Sequence, residues 1–160
     1  MPVKTRIISF RENAYYHVFN RGNNKQRIFL DEKDYSVLRK ITRQTLEKYP
    51  EITIKQFALL PNHYHFLIHQ TDERTLSKFM RCLNIRYTQY FQKKYRVVGR
   101  IFGSSYHARV LLDNRAIEAV RVYIKNNPLE AGYTTWRHFG MNVWIARLRM
   151  PIANYLFCGP

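Results

Sequence analysis

Two histidines separated by one residue, in the run His63-Tyr64-His65, have types and a spacing that could support metal chemistry. Side chains alternate between the two faces of a β-strand, so residues i and i+2 project to the same side. A rise of ~3.3 Å per residue places the two Cα atoms roughly 6–7 Å apart, so both imidazoles can reach one metal ion. The pair equally fits the solvated face of a half-buried strand, and the spacing alone leaves both interpretations open.

Tyr123 and Asn127 form a second pair, four residues apart, which places them on the same face of a helix. Ile117, Val120 and Ile124 mark the buried stripe of that helix. Tyr123 lies beside the stripe, so its hydroxyl, a potential nucleophile, could emerge at the edge of a sheet. A core tyrosine followed by a helix-capping asparagine would produce the same pattern.

Periodicity predicts the elements that must hold these residues. It indicates strands over 14–20, 52–60, 63–69 and 106–112, and helices over 31–49, 72–95 and 113–126. Pro61 and Asn62 turn the chain between the second and third strands, which makes them a hairpin. The first six elements follow the split βαβ order, so we predict an α+β, ferredoxin-like antiparallel sheet with helices on one face. The seventh element is an extra, catalytic helix that carries Tyr123.

The charge balance is strongly basic, with 27 Lys and Arg residues against 11 Asp and Glu and a net charge of +16. Such a surplus favours a polyanionic partner, with nucleic acid the first candidate and an anionic membrane surface the second. No stretch approaches the ~20 apolar residues of a membrane span, and MPVKTRIISFREN lacks the apolar run of a signal peptide, so we expect no membrane partner. The distant Cys82 and Cys158 suggest no disulfide framework and favour a reducing cytosol.

Basic residues could neutralise phosphates while neighbouring tyrosine and phenylalanine rings stack on unpaired bases. The candidate DNA contacts lie in the first loop and around the fourth predicted strand: Arg21, Lys25, Arg27, Arg100 and Arg109. Further basic residues line the second predicted helix, where an ordinary solvated face is an equally good interpretation: Lys78, Arg81, Arg86, Lys93 and Lys94.

Four stretches together resemble the HUH single-tyrosine transposases, and among them most of all the REP-associated tyrosine transposases. They are 16–29 (YHVFNRGNNKQRIF), 60–68 (LPNHYHFLI), 99–112 (GRIFGSSYHARVLL) and 123–132 (YIKNNPLEAG). Their order and spacing agree with the family over residues 14–133. We therefore predict one transposase domain over residues 1–133 and a tail over 134–160 packed on the same domain.

The resemblance implies a role for each matching residue. Tyr123 corresponds to the nucleophile, and His63, His65 and Asn127 correspond to the ligands of a divalent metal, Mg²⁺ or Mn²⁺. The implied activity is metal-dependent cleavage and transfer of single-stranded DNA near hairpins through a covalent 5′-phosphotyrosine. It also implies a prokaryotic, cytoplasmic, nucleoid-associated protein, and it leaves open whether the chain acts as a monomer or a homodimer.

Two other functions fit parts of the sequence. A non-catalytic module that binds single-stranded nucleic acid would explain the charge and the aromatic residues. A zinc hydrolase would use His63 and His65 with His69, which has the same strand parity. No general base for Tyr123 stands out, although His107 is a candidate.

Overall fold

Four antiparallel strands form one sheet, in the order β2-β3-β1-β4, in the computed structural model, which describes residues 10–130. The strands are β1 (Ala14–Arg21), β2 (Ile52–Leu60), β3 (His63–Gln70) and β4 (His107–Leu111), and the helices are α1 (Glu32–Leu46), α2 (Thr75–Tyr95) and α3 (Asn114–Glu130). This order confirms the predicted α+β, ferredoxin-like class. The predicted tail over 134–160 lies outside the described residues.

One face of the sheet, here called the core face, is buried beneath α1 and α2. Tyr16 and Val18 of β1 lie on it with Tyr64, Phe66 and Ile68 of β3, and each is at most 1% exposed. The apolar residues of α2 recur at helical spacing and are 0% exposed: Leu76, Phe79, Met80, Leu83 and Tyr87. Because this layer takes one parity of each strand, the other parity must face the opposite side.

The opposite face, here called the histidine face because it carries His63 and His65, lies under α3. The fully buried Ile124 of α3 packs there against Leu60 and Leu67. The extra helix therefore lies on the other side of the sheet from the two core helices. None of the helices described is long and apolar enough to cross a membrane.

Some element boundaries differ from the predicted ones for local reasons. α1 ends at Leu46, because the chain then forms tight i→i+3 turns before Pro50. α2 begins at Thr75 because the Asp72 carboxylate instead organises the preceding turn, where it accepts hydrogen bonds from the next residues. α3 continues through Pro128 to residue 130, since the buried proline removes only its own N–H donor from the helix.

Two basic residues of α2 that were candidate DNA contacts are instead engaged within the fold. Lys94 Nζ lies 2.7 Å from a carboxylate oxygen of Asp31, the residue that caps α1. Arg86 donates hydrogen bonds to Gln44 Oε1 at 2.6 Å and to Thr45 Oγ1 at 3.1 Å. Both side chains join α2 to α1, so the interpretation of this helix face as a DNA contact is wrong at these two positions.

Asp34 is a buried carboxylate between α1 and α2, with 0% exposure. It accepts hydrogen bonds from Lys94 Nζ at 2.7 Å, Tyr95 OH at 2.7 Å and Tyr90 OH at 2.8 Å. Burial opposes ionisation, but these donors outweigh burial and hold the pKa of Asp34 below its usual value. The negative charge of Asp34 is therefore part of what fastens the two helices together.

We predict that Asp34→Asn lowers the free energy of unfolding by about 2–4 kcal/mol, because a neutral amide cannot satisfy the Lys94 ammonium and both tyrosine hydroxyls. Urea or thermal unfolding measures the change. Asp31→Asn is the matched control, since it removes the same charge from an exposed partner of Lys94 and retains an N-cap residue. We expect a smaller loss for the control, and equal losses would contradict the role given to Asp34.

The pH dependence of that loss has a defined sign. Because the folded pKa of Asp34 is lowered, its stabilisation is complete above the unfolded pKa of about 4 and is lost as the pH falls through the folded value. The difference in unfolding free energy between wild type and Asp34→Asn should be constant above about pH 5 and shrink below about pH 4. A difference that stays constant to about pH 2 would contradict the lowered pKa.

Candidate active site

The pairing of β3 with β1 brings the two predicted histidines together at one end of the histidine face. His63 lies directly opposite Arg21 across this strand pair. The imidazole rings of His63 and His65 are 5.0 Å apart between centroids, so they share a face as strand alternation predicts. Tyr64 projects to the core face instead, where its hydroxyl donates to Asn84 Oδ1 at 2.7 Å. Its bulk therefore does not crowd the histidines.

α3 brings Tyr123 and Asn127 to the same place. The Tyr123 ring meets the His65 ring edge-on, with 5.5 Å between centroids. Asn127, one turn later, is buried, and its side chain hydrogen-bonds to His63. Tyr123 itself is 42% exposed. One chain thus assembles the four side chains that the sequence singled out for a nucleophile and a metal.

Hydrogen bonds engage the Nδ1 atoms of both histidines. His63 Nδ1 lies 2.6 Å from Asn62 Oδ1, and His65 Nδ1 lies 2.9 Å from His17 Nε2. An amide oxygen only accepts, so His63 Nδ1 carries the hydrogen and Nε2 carries the lone pair. Two ring nitrogens and the oxygen of the nearby Asn127 amide form a mixed donor set that fits a divalent metal.

Burial keeps the imidazoles of the site neutral. It lowers the pKa of His65 to about 3, and repulsion from the neighbouring His63 and His17 acts in the same direction. Burial also lowers the pKa of His63, assisted by the Arg21 charge and opposed by the hydrogen bond with Asn127. For His17, burial is again the main cause of a lowered pKa. The neutral imidazole is the form that can donate a lone pair to a metal.

The third histidine of the zinc alternative does not join the site. His69 lies four residues beyond His65 on β3, roughly 13 Å along the strand, and its ring is 4.6 Å from that of Tyr15. Among residues 10–130 no group of three or more His, Cys, Asp or Glu side chains is placed to hold a metal. The described structure therefore does not form the His63, His65 and His69 site that this alternative requires.

His107, the candidate general base, lies two strands away from His65. Its ring stacks on Phe19 with 5.0 Å between centroids, and the Phe19 ring is in turn 5.7 Å from that of His65. Phe19 pairs with both histidines across β1, so it stands between them. This position gives no support for His107 as the base that serves Tyr123.

His17 is the residue of the site that sequence reasoning missed. Besides its hydrogen bond to His65, its ring lies 5.8 Å from that of Tyr123 and 5.1 Å from that of His65. Its parity on β1 was visible in the sequence, because it matches Tyr15 and Phe19. The register of β1 against β3, which brings it beside His65, was not.

The basic loop after β1 is fastened at the same end of the sheet. It contains a short 3₁₀ turn, Asn23–Lys25. The Gly22 N–H donates to Asn62 O at 2.8 Å, next to His63. A Cβ atom at Gly22 would come within 2.1 Å of Gln26 O, so only glycine fits there. This close packing connects the loop to the turn that begins β3.

The candidate DNA contacts surround the site and are all exposed: Arg21, Lys25, Arg27, Arg100 and Arg109. Arg109 lies opposite His17 across β1 and β4. The loop that contains Arg100 is joined to the first basic loop by a hydrogen bond from Asn23 N to Ile101 O at 2.8 Å. The structure therefore places basic side chains on two neighbouring loops and on one strand that approaches the histidines.

Ile124 fixes the position of α3, and with it that of Tyr123, so we predict that Ile124→Ala lowers the free energy of unfolding by about 2–4 kcal/mol. Val122→Ala is the matched control, because Val122 is on the same helix and is 46% exposed. We expect the control to change stability by less than about 0.5 kcal/mol in urea unfolding. Equal effects of the two substitutions would show that Ile124 does not anchor the helix.

Comparisons with known proteins agree with the fold and the site. No curated protein is similar enough to count as a match. One solved structure, of a REP-associated tyrosine transposase bound to a REP hairpin, has a TM-score of 0.65 and 16% identity, covering 83% of this chain and 76% of that one. A candidate transposase of Deinococcus radiodurans R1 has a TM-score of 0.51 and 15% identity, covering 79% and 97%.

At these identities the two structures show a shared fold. The family is shown by the sequence itself, which matches the model described as "Transposase IS200 like" over residues 10–127. That match includes His63, His65, Tyr123 and Asn127 and spans most of the chain. This chain belongs to the IS200-like transposases, a family of enzymes that act on DNA.

Proposed function

We propose that this chain is a metal-dependent endonuclease and strand transferase that uses Tyr123 to cut single-stranded DNA near hairpins. The observation that carries the proposal is the contact of Tyr123 with His65, whose rings lie 5.5 Å apart beside His63 and Asn127. The responsible domain would be residues 1–133, with the tail packed on it. The protein would work in the prokaryotic cytoplasm, in association with the nucleoid.

In the proposed reaction the hydroxyl oxygen of Tyr123 attacks the phosphorus of a phosphodiester. The Oη–P bond forms as the P–O3′ bond breaks, and the proton lost by the tyrosine ends on the departing 3′ oxygen. The products are a 3′-hydroxyl and a 5′-phosphotyrosine, so the new ester conserves the energy of the broken bond. Attack by the 3′-hydroxyl of a second strand reverses the step and joins the two DNA ends.

His63, His65 and Asn127 would hold Mg²⁺ or Mn²⁺, and the bound ion would supply Lewis acidity to the phosphate. Nitrogen and oxygen donors together suit Mn²⁺ as well as Mg²⁺, which prefers oxygen ligands. The chain's own contribution is to keep both imidazoles neutral by burial and to hold their Nδ1 atoms in hydrogen bonds. The partly exposed Tyr123 leaves space for the strand to approach.

Arg21 and Arg109 would contact the DNA backbone on either side of the site, with Lys25, Arg27 and Arg100 extending the contact along the loops. A single strand can bend into such a site and place its bases against aromatic side chains. The solved relative bound to a REP hairpin supports a DNA hairpin as partner. A homodimer is compatible with the proposal but not required, because one chain supplies all four site residues.

The first prediction from this proposal is that Tyr123→Phe abolishes the covalent protein–DNA adduct. The substitution removes the attacking oxygen and keeps the ring. Labelled single-stranded hairpin DNA, incubated with Mn²⁺ or Mg²⁺ and run on a denaturing gel, measures the adduct. Tyr15→Phe is the matched control, because Tyr15 lies on the same sheet face but packs at the distant His69, and it should form the adduct like wild type.

An adduct that persists in Tyr123→Phe would identify another nucleophile and overturn the assignment. Chelation of the divalent metal with EDTA separates the proposal from the non-catalytic binding module. The proposal expects EDTA to stop cutting while DNA binding persists. Wild-type protein that binds many hairpin sequences and forms no adduct with any of them would favour the binding module.

The second prediction is that Arg21→Glu and Arg109→Glu each weaken binding of single-stranded DNA, by about tenfold or more at moderate salt. Each change removes a phosphate contact and adds repulsion, so the slope of log affinity against log salt should also fall by about 0.7 per contact. Arg43→Glu is the matched control, since Arg43 is exposed on α1, on the other side of the sheet. Fluorescence anisotropy measures all three, and unchanged binding in both test variants would contradict the proposed DNA path.

A further inference from the structure

We propose that His17 is a positioning residue that holds His65 in the one neutral form able to present its Nε2 lone pair to a divalent metal. The inference rests on the proposed function and assigns to it a residue outside the metal ligands. It begins from a contact in the structure, the distance of 2.9 Å between His17 Nε2 and His65 Nδ1.

The direction of this hydrogen bond follows from proton counting. A hydrogen bond between two neutral imidazoles contains one hydrogen, carried either by His65 Nδ1 or by His17 Nε2. If His17 carried it, neutral His65 would have its own hydrogen on Nε2 and could not donate a lone pair from that atom. Metal binding through His65 Nε2 therefore requires His65 Nδ1 to donate and His17 Nε2 to accept.

The surroundings hold His17 in place for this task. Its ring lies nearly parallel to that of His65, with 25° between planes and 5.1 Å between centroids. The rings of Phe19 and Tyr123 contact it at 5.3 Å and 5.8 Å. Three aromatic neighbours restrict rotation of the imidazole, so Nε2 stays directed at His65.

His17 is also a neighbour of the nucleophile, so it joins the two parts of the site. The side chain that would set the orientation of His65 simultaneously packs against the edge of Tyr123. Metal-binding histidines commonly donate their second N–H to an acceptor that fixes the ring, and loss of that acceptor typically weakens metal binding about 10–100-fold. His17 has the position and the chemistry of such an acceptor.

The test measures Mn²⁺ affinity of the full chain without DNA, by the electron paramagnetic resonance signal of free Mn²⁺. His17→Phe keeps an aromatic ring but removes the acceptor, and it should weaken Mn²⁺ binding about 10–100-fold. His17→Gln restores an acceptor oxygen and should stay closer to wild type than to His17→Phe. His69→Phe, the same change elsewhere on the histidine face, should leave the affinity unchanged, and thermal unfolding should show that all variants fold.

Equal Mn²⁺ affinity in His17→Phe and wild type would overturn the proposal. So would a His17→Gln variant as weak as His17→Phe, because restoring an acceptor should then have helped. A DNA cleavage assay is not needed for either outcome, so both are independent of whether Tyr123 forms an adduct.

A second measurement needs no metal. Long-range ¹H–¹⁵N spectra of the imidazoles should show the His65 hydrogen on Nδ1 in wild type, and a different or mixed tautomer in His17→Phe. A hydrogen on Nε2 in wild type would overturn the proposal directly. If His65 keeps its hydrogen on Nδ1 but the protein takes up no Mn²⁺, the hydrogen bond stands, whereas the metal site of the proposed function and the role of His17 toward it both fail.

Discussion

The register between β1 and β3 is the constraint on which the other features of the site depend. A shift of one residue would turn His63 and His65 toward α1 and α2 and expose Phe66 and Ile68 on the opposite face. Burial of one large apolar side chain contributes roughly 1.5–3 kcal/mol, so the core face penalises such a shift by several kcal/mol. The positions of the histidines are therefore set by residues that take no part in chemistry.

The same division of labour applies to α3. Its buried Ile124 packs on the sheet, while the next residue toward the start of the helix, Tyr123, reaches the site edge. Asn127 follows one turn later against His63. Because the helix crosses the face that α1 and α2 do not use, the site lies between layers that are stabilised by separate clusters of apolar residues. Substitutions in the main core therefore need not disturb the docking of α3.

Much of this arrangement could be predicted from local patterns. Strand alternation was sufficient to place His63 and His65 on one face, and helical spacing was sufficient to pair Tyr123 with Asn127. Asp113 was recognised as the start of α3, and its carboxylate accepts the Ala116 N–H at 2.7 Å. Each of these predictions uses residues close in the chain, where backbone geometry alone decides which side chains are neighbours.

Predictions that needed distant parts of the chain were less successful. His17 is 48 residues from His65, and no local pattern gives the strand register that joins them. Lys94 looked like one more basic residue on a solvated helix until the fold brought Asp31 and Asp34 to it. His107 had a suitable side chain, but Phe19 on the strand between separates it from His65. In each case the deciding contact is tertiary.

The unequal exposure of Tyr123 and His65, 42% and 6%, has a consequence for the lifetime of a DNA adduct. A nucleophile at an open rim can carry a polymer of any length without a lid that must reopen. The same openness would make a phosphotyrosyl bond accessible to repair enzymes that remove proteins from DNA ends. Under the proposed function, completion of strand transfer would then be a race between arrival of the second 3′-hydroxyl and removal of the adduct by the host.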